Sequence, residues 1–325
     1  MINTDTVLIT GGAGFIGRYL TRDILQVGMR VVIFDNFMAK SFFYRDLYGQ
    51  EPARISIRGD VRDYSLLKEV FLRYQPGMVI HLAAISDANM ALQAPQECLS
   101  INVDGLNNLF TVISQATEVR RFIFVSSSYV YGNFHYEPAD ELHPLDSRHI
   151  YGITKIRGEQ ITADFCVKNN IDYTIIRPTA VYGLGSSLER ICCRMIIDAL
   201  TKKEIVVHNH GNQKLDFTQI DDLTQGFLKV LSNNNAKNQV FNLSRGKSRS
   251  IAELAGLIAK NIPGVKIINR NAEFEKPLRG ALDISKARDM LGFSPLIDIE
   301  EGIPVLINDL IRIKDKYDLS IPAVY

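Results

Sequence analysis

Residues 7–17 read Val-Leu-Ile-Thr-Gly-Gly-Ala-Gly-Phe-Ile-Gly. The first four are apolar or β-branched, as in a short buried strand. Gly12, Gly14 and Gly17 follow at GxGxxG spacing, and Gly11 opens the overlapping GxxGxxG form. From Phe15 to Val27 the apolar residues recur with helical period. Glycine permits the tight turn and the approach of backbone to an anion. The helix N-terminus adds amides and the positive end of a dipole. Asp35 closes the next apolar run, Val31–Phe34, 18 residues beyond Gly17. A carboxylate there accepts hydrogen bonds from a ribose and repels a 2′-phosphate. The stretch therefore predicts a dinucleotide turn that takes NAD rather than NADP.

The alternation continues outward. Val7–Thr10, Val31–Phe34, Ile55–Ile57, Met78–Ile80, Phe122–Val125 and Tyr173–Ile176 read as strands. Phe15–Val27, Ser65–Tyr74, Pro95–Ala116 and Tyr151–Asn169 read as helices. Continuous apolar runs between helices are strands covered on both faces, hence parallel, and right-handed crossovers wind them doubly. After about Arg177 the rhythm is irregular. Helices are expected at Leu188–Leu200, Asp221–Leu231, Ile251–Lys260, Ser285–Leu291 and Glu300–Ile311, with short strands at Ile205–Val207, Gln239–Asn242 and Val265–Ile268. The expected fold is α/β: a doubly wound parallel (Rossmann) sheet with a smaller α/β C-terminal substrate lobe. Residues 1–178 with about 218–243 are assigned to the dinucleotide domain. Residues from about 179 to 217, with 244–325, are assigned to the lobe.

Composition narrows the partners. The 325 residues carry 37 Lys and Arg against 36 Asp and Glu, a net charge of +1. That balance excludes a strongly basic nucleic-acid binder and an acidic tail. No apolar run reaches about 18 residues, so no membrane span is expected. The opening MINTDTVLITGG lacks the regions of a signal peptide. Cys98, Cys166, Cys192 and Cys193 have no CxxC spacing. They read as buried thiols in a reducing, cytoplasmic setting, with neither a disulfide frame nor a metal site.

Chemistry enters at Tyr151-Gly-Ile-Thr-Lys155. A spacing of four puts both side chains on one helical face. A free tyrosine titrates near ~10, too high for a base at neutral pH. A lysine ammonium, with a nicotinamide cation, favours the phenolate and is expected to lower that value. Ser126-Ser127-Ser128-Tyr129-Val130-Tyr131-Gly132 follows the fifth strand, whose carboxyl end faces the ligand crevice of such a sheet. A hydroxyl there can hold a substrate oxygen near Tyr151.

Further segments complete a pattern: GDVRD (59–63), HLAA (81–84), INVDG (101–105), RPTAVYG (177–183), LDFTQIDDL (215–223) and LRGALDISKAR (278–288). With TGGAGFIG (10–17), FDN (34–36), SSSYVYG and YGITK, the chain resembles the extended short-chain dehydrogenases/reductases, in the branch that modifies nucleotide sugars. The resemblance runs over nearly the whole sequence. It implies NAD as cofactor, bound by Gly11, Gly14, Phe15, Ile16, Gly17, Asp35 and Asn36. Asp60 and Val61 would lie at adenine, Leu82, Ala83 and Ala84 along the dinucleotide, and Asn102 beside it. Tyr151 would be the acid/base, with Lys155 as its partner and Ser127 completing the catalytic set; Tyr151 and Lys155 also face the cofactor. Ser86, Ser128, Tyr129, Thr179 and Arg279 would meet a nucleotide-diphosphate sugar, Arg279 at the diphosphate. A homodimer through the 95–116 and 151–169 helices is implied, without nucleic acid or membrane.

Members of this branch share an opening step, in which the tyrosine takes the proton of the sugar 4-hydroxyl as C4 is oxidised. The fate of the 4-keto sugar divides them. A 4,6-dehydratase usually has Asp-Glu directly after the catalytic hydroxyl residue, and a decarboxylase often a Glu at the second place. Here these are Ser128 and Tyr129. Four-epimerisation is the default by elimination. A 4-dehydrogenase or 4-keto reductase, a dehydratase using other acids, and a non-catalytic NAD-binding protein are the alternatives. Two departures stand out. Leu215 replaces the arginine that relatives usually give to the diphosphate, leaving Lys214, His208 and His210 as nearby candidates. Ala180 replaces an Asn that contacts substrate in many relatives. Asp87 and Asn89, with Ser86, are expected on a loop facing the sugar, Asp87 being a possible further acid or base.

Overall fold

A computed structural model describes residues 6–38, 55–116, 118–271 and 277–314. Thr6–Thr10 (β1) runs into the glycine turn, and Phe15–Gln26 (α1) leaves it. Next come Arg30–Asp35 (β2), Ile55–Arg58 (β3), Tyr64–Tyr74 (α2), Met78–His81 (β4), Ala88–Gln93 (α3) and Pro95–Leu99 (α4). A π turn, Ser100–Asp104, joins α4 to Gly105–Ile113 (α5). Arg121–Val125 (β5), Ile150–Lys168 (α6) and Asp172–Pro178 (β6) follow. The remainder is Val181–Tyr182 (β7), Ile191–Lys202 (α7), Glu204–His208 (β8), Lys214–Asp216 (β9), Thr218–Gln219 (β10) and Ile220–Ser232 (α8), then Gln239–Leu243 (β11), Ser248–Ser250 (β12), Ile251–Asn261 (α9), Lys266–Arg270 (β13), Ser285–Leu291 (α10) and Ile299–Lys314 (α11).

Seven strands form one parallel sheet in the order β11-β6-β5-β4-β1-β2-β3. The chain reverses its direction of winding between β1 and β4, so the ligand crevice opens at their carboxyl ends. Side chains alternate across the sheet. Val7 and Ile9 pack with Leu20 and Ile24 of α1 and Phe227 of α8. Leu8 points the other way, into Leu67 of α2 and Leu106 and Phe110 of α5. Strands buried on both faces account for the unbroken apolar runs of the sequence. A third cluster joins α7, β8, α9 and α11 through Cys193, Ile196, Ile205, Leu254 and Leu306. All four cysteines are buried and unbridged.

Three local features differ from expectation. The helix expected over Pro95–Ala116 is interrupted by the π turn, which inserts an extra residue and turns Asn102 inward. Residues 88–93, expected as loop, form α3, because the Asp87 carboxylate accepts from the Asn89 and Met90 amides and caps it. The two- and three-residue strands β7, β9, β10 and β12 carry too few residues for a periodic signal, and exist through their pairing.

A buried polar network fixes the crevice side. Arg177 of β6 grips Glu159 of α6 through Nε–Oε1 at 2.9 Å and Nη2–Oε2 at 2.6 Å. The Ser126 hydroxyl also donates to Glu159. Arg177 Nη1 donates to the Tyr131 hydroxyl at 3.0 Å and to the Glu141 carbonyl at 3.1 Å. Tyr131 in turn donates to Asn242 of β11 at 2.7 Å. Removing one partner leaves a buried charge alone. Arg177→Met should lose about 3–5 kcal/mol of stability in urea unfolding, and adding Glu159→Leu should recover much of it. A single variant as stable as wild type would exclude a structural role for the pair.

His81, at the end of β4, sits 2.7 Å from the Thr10 hydroxyl. Burial, aided by the Lys155 charge, pushes its imidazole down to about 3. The unfolded chain binds this proton near ~6.5 and the folded one does not. Stability should therefore fall as pH drops from ~6.5 towards 3, by about 1.4 kcal/mol per unit from this group. A His81→Gln variant should lose that part of the slope between pH 5 and ~6.5 in unfolding measurements.

Candidate active site

The glycine turn is shaped for a close ligand. Gly11 has φ +70°, and a Cβ there would lie 2.6 Å from the Ala83 nitrogen. A Cβ on Gly17 would meet the Gly12 Cα at 2.6 Å. Gly14 is the N-cap of α1, and among the described residues no side chain caps that helix. The Asp35 carboxylate is fastened beside the turn: Oδ2 accepts from the Ala13 amide at 2.9 Å and Oδ1 from Phe37 at 2.7 Å. Each oxygen keeps a second lone pair for a ribose hydroxyl. Phe15 and Ile16 border the apolar cluster under α1, and Asn36 is exposed. These residues fit a dinucleotide: uncapped amides for the pyrophosphate and a held carboxylate for the ribose.

The rest of the expected cofactor set lines the same edge. Asp60 pairs with Arg62 at 2.7 Å, and that hydrogen bond holds its carboxyl below the usual range. Val61 is buried against Gly105, where a Cβ would come within 2.5 Å of Val61 Cγ2. Leu82, Ala83 and Ala84 leave β4, the Leu82 amide bonding to the Thr10 carbonyl at 2.9 Å. Asn102 is already engaged. It accepts from the Ile85 amide at 2.8 Å and donates to the Thr154 hydroxyl at 3.0 Å, tying the β4 loop to α6.

Tyr151 is the second residue of α6, and Lys155 lies one turn on. Both are buried, Tyr151 6% exposed and Lys155 4%. Lys155 Nζ donates to the Val125 carbonyl at 2.8 Å and stands 5.9 Å from the centre of the Tyr151 ring. Burial pushes the phenol above its ordinary value; the Ser127 hydroxyl, Arg190 and Arg279 pull it back. Burial also pushes Lys155 down to about 8. The expected lowering of Tyr151 needs the nicotinamide cation as well as the ammonium. Desolvation acts on both groups directly, while the ammonium faces a carbonyl rather than the phenol. In the protein without cofactor the phenol keeps its proton at neutral pH.

Ser127 Oγ accepts from the Tyr129 amide at 3.2 Å. Ser128 is 1% exposed, and its hydroxyl has no hydrogen-bond partner among the described residues. Tyr129 stands edge-on to Tyr151 at 5.3 Å, with the Arg279 guanidinium over its face at 3.8 Å. Thr179 is buried just beyond β6. Ser86 is met by Arg190, whose Nη2 lies 3.3 Å from its carbonyl and 3.4 Å from its hydroxyl. Cys98 packs against Tyr151, as core.

Two site residues escaped the sequence reading. His149 caps α6, its Nδ1 accepting the Tyr151 amide at 3.2 Å. Its place two residues before Tyr151 was a usable cap signal. Arg190 comes from the lobe, and no local pattern marks it. Tyr129, His149 and Arg279, with Asn133, Asp146 and Ser147, also line a recess of about 200 Å³.

Fold and site together define an enzyme class: a doubly wound α/β protein with a dinucleotide turn facing a tyrosine–lysine pair. The model of the NAD dependent epimerase/dehydratase family matches residues 7–244, and the chain belongs to that family. A Methanocaldococcus jannaschii protein named by inference as a UDP-glucose 4-epimerase is 30% identical, over 93% of this chain and 97% of its own. UDP-glucuronic acid decarboxylase 4 of Arabidopsis thaliana is 27% identical, over 93% and 68%. The crystal structure of UDP-glucuronic acid 4-epimerase from Bacillus cereus, in complex with UDP-glucuronic acid and NAD, superposes with a TM-score of 0.87 at 25% identity, covering 96% of this chain and 100% of that one. NAD is the cofactor of the family, and the residues described above fit it. NADP should bind roughly 100-fold more weakly than NAD, because its 2′-phosphate would meet Asp35. Fluorescence titration should show that gap narrowing in Asp35→Ser.

Proposed function

We propose that this protein is an NAD-dependent nucleotide-sugar 4-epimerase. The observation that carries the reading is the buried Tyr151, whose titration the Ser127 hydroxyl influences, followed along α6 by Lys155, with no carboxylate at positions 128 and 129. The nucleotide sugar lies between the dinucleotide part (1–178 with about 218–243) and the lobe (about 179–217 with 244–325). Ser127 and Tyr151 hold the sugar 4-oxygen. Tyr151 takes the 4-hydroxyl proton on its phenolic oxygen and later returns it to the same oxygen, so no proton is gained or lost. When bound, NAD would supply the acceptor for the C4 hydride and the donor that restores it on the opposite face. Lys155, fixed on the Val125 carbonyl, positions the cofactor ribose and keeps positive charge near the ring. Ser128 offers the substrate a hydroxyl with no other partner. Neither Ser128 nor Tyr129 is an acid strong enough to drive the elimination a dehydratase needs.

The same reading includes a homodimer through the 95–116 and 151–169 helices. The second of these leaves Ile153 and Val167 exposed, an apolar face that a second copy would cover.

Proton NMR of the purified protein with UDP-, dTDP-, GDP- and CDP-sugars tests the activity. One sugar should convert to its C4 isomer, with changed H4 couplings and no added NAD. Conversion that consumes added NAD⁺ or NADH stoichiometrically would make the reaction a net oxidation or reduction instead. Tyr151→Phe should lower kcat by about 10²–10⁴-fold with NAD binding retained. A variant with full activity would sink the mechanism.

A further inference from the structure

A nucleotide diphosphate brings two negative charges into the crevice, and partly buried charge needs paired cations. Two cations of the lobe near Leu215 are already committed. Arg249 stands opposite Leu215 in the β9–β12 pair, but Asp298 at 3.1 Å, Glu300 at 2.7 Å and Glu253 at 3.3 Å hold its guanidinium. Lys247 is also on Asp298, at 3.1 Å. Lys214, His208 and His210, the sequence candidates, are exposed, and the His210 turn packs on Asn269 of β13. Leu215 itself lies on the rim of the lobe's apolar cluster.

Arg190 is different. Among the described residues it has no carboxylate partner. Its contacts are the two neutral oxygens of Ser86, both at the long end of hydrogen-bond range. Leu188 and Ile191, on either side of it, pack on the same rim as Leu215 and Ala180. Arg190 thus brings a guanidinium to an edge where positions 180 and 215 are apolar. It also reaches across from the lobe to the loop that leaves β4, next to Ala84. We propose that Arg190 binds the diphosphate of the nucleotide sugar, supplying the cation that Leu215 does not. This rests on the nucleotide-sugar reading above. A guanidinium fork suits phosphate oxygens, and charge-assisted bonds displace the weak contacts to Ser86. Arg279, on the face of Tyr129, likewise has no carboxylate partner among the described residues. Arg190 is a binding residue and takes no part in proton transfer.

The test is calorimetric titration of the NAD-loaded protein with UDP, dTDP, GDP and CDP, and with the matching nucleoside. Arg190→Ala should weaken the nucleoside diphosphate that wild type binds by roughly 10- to 100-fold and leave the nucleoside unchanged. KM for the nucleotide sugar should rise by a similar factor, with kcat changed less than about threefold. Arg190→Lys should recover only part of the loss, and Leu215→Arg should restore binding in the Arg190→Ala background. Unchanged diphosphate affinity in Arg190→Ala overturns the assignment, including the case in which only a nucleotide uronic acid binds more weakly. A wild type that binds none of the four diphosphates overturns the nucleotide-sugar reading, and this one with it.

Discussion

Arg177 and Glu159 meet through two parallel N–H···O contacts where their side chains are only 4% and 6% exposed. Removing both charges from water is expensive, and the pair persists because every neighbouring polar group serves it. Ser126 completes the carboxylate, and Tyr131 and the Glu141 carbonyl complete the guanidinium. The consequence is positional. Glu159 lies one helical turn beyond Lys155 and two beyond Tyr151. Ser126 immediately precedes Ser127. One ion pair thus sets α6 against the ends of β5 and β6, and so sets the tyrosine against the serine.

Burial sets the protonation of what that frame holds. Tyr151 is pushed up and Lys155 down to about 8 by the same loss of solvent, so at neutral pH the phenol keeps its proton and the lysine is still an ammonium, though less firmly protonated than in water. Positive charge from the bound dinucleotide and from the arginines at the mouth must then favour the phenolate. Arg190 and Arg279 reach that mouth from different segments, one just before α7 and one from the stretch before α10.

The π turn has a related role. An inserted residue between α4 and α5 directs Asn102 into the space between the β4 loop and α6, where it satisfies Ile85 and Thr154 together. Thr154 in turn donates to the Tyr151 carbonyl. The resemblance implied that Asn102 lies beside the dinucleotide. Its side-chain bonds make it a brace between the loop that lines the dinucleotide and the helix that carries the tyrosine. A helix with regular period would have left this amide a residue out of step.

Local sequence determined the sheet, the glycine turn, Asp35 and the Tyr151–Lys155 face, because each rests on spacing within one element or on a turn only glycine can make. The resemblance to the family, not local spacing, marked Leu215 and Ala180 as apolar where relatives usually carry a charge or an amide. Tertiary structure alone decided the direction in which Tyr151 titrates, since desolvation depends on what covers a group, not on its neighbours in the chain. It decided that Asp87 caps a helix and that Arg249 is consumed by acids 49 and 51 residues away. It brought Arg190 to Ser86 across 104 residues, a contact no period or motif encodes, because only the packing of the start of α7 against the loop after β4 creates it.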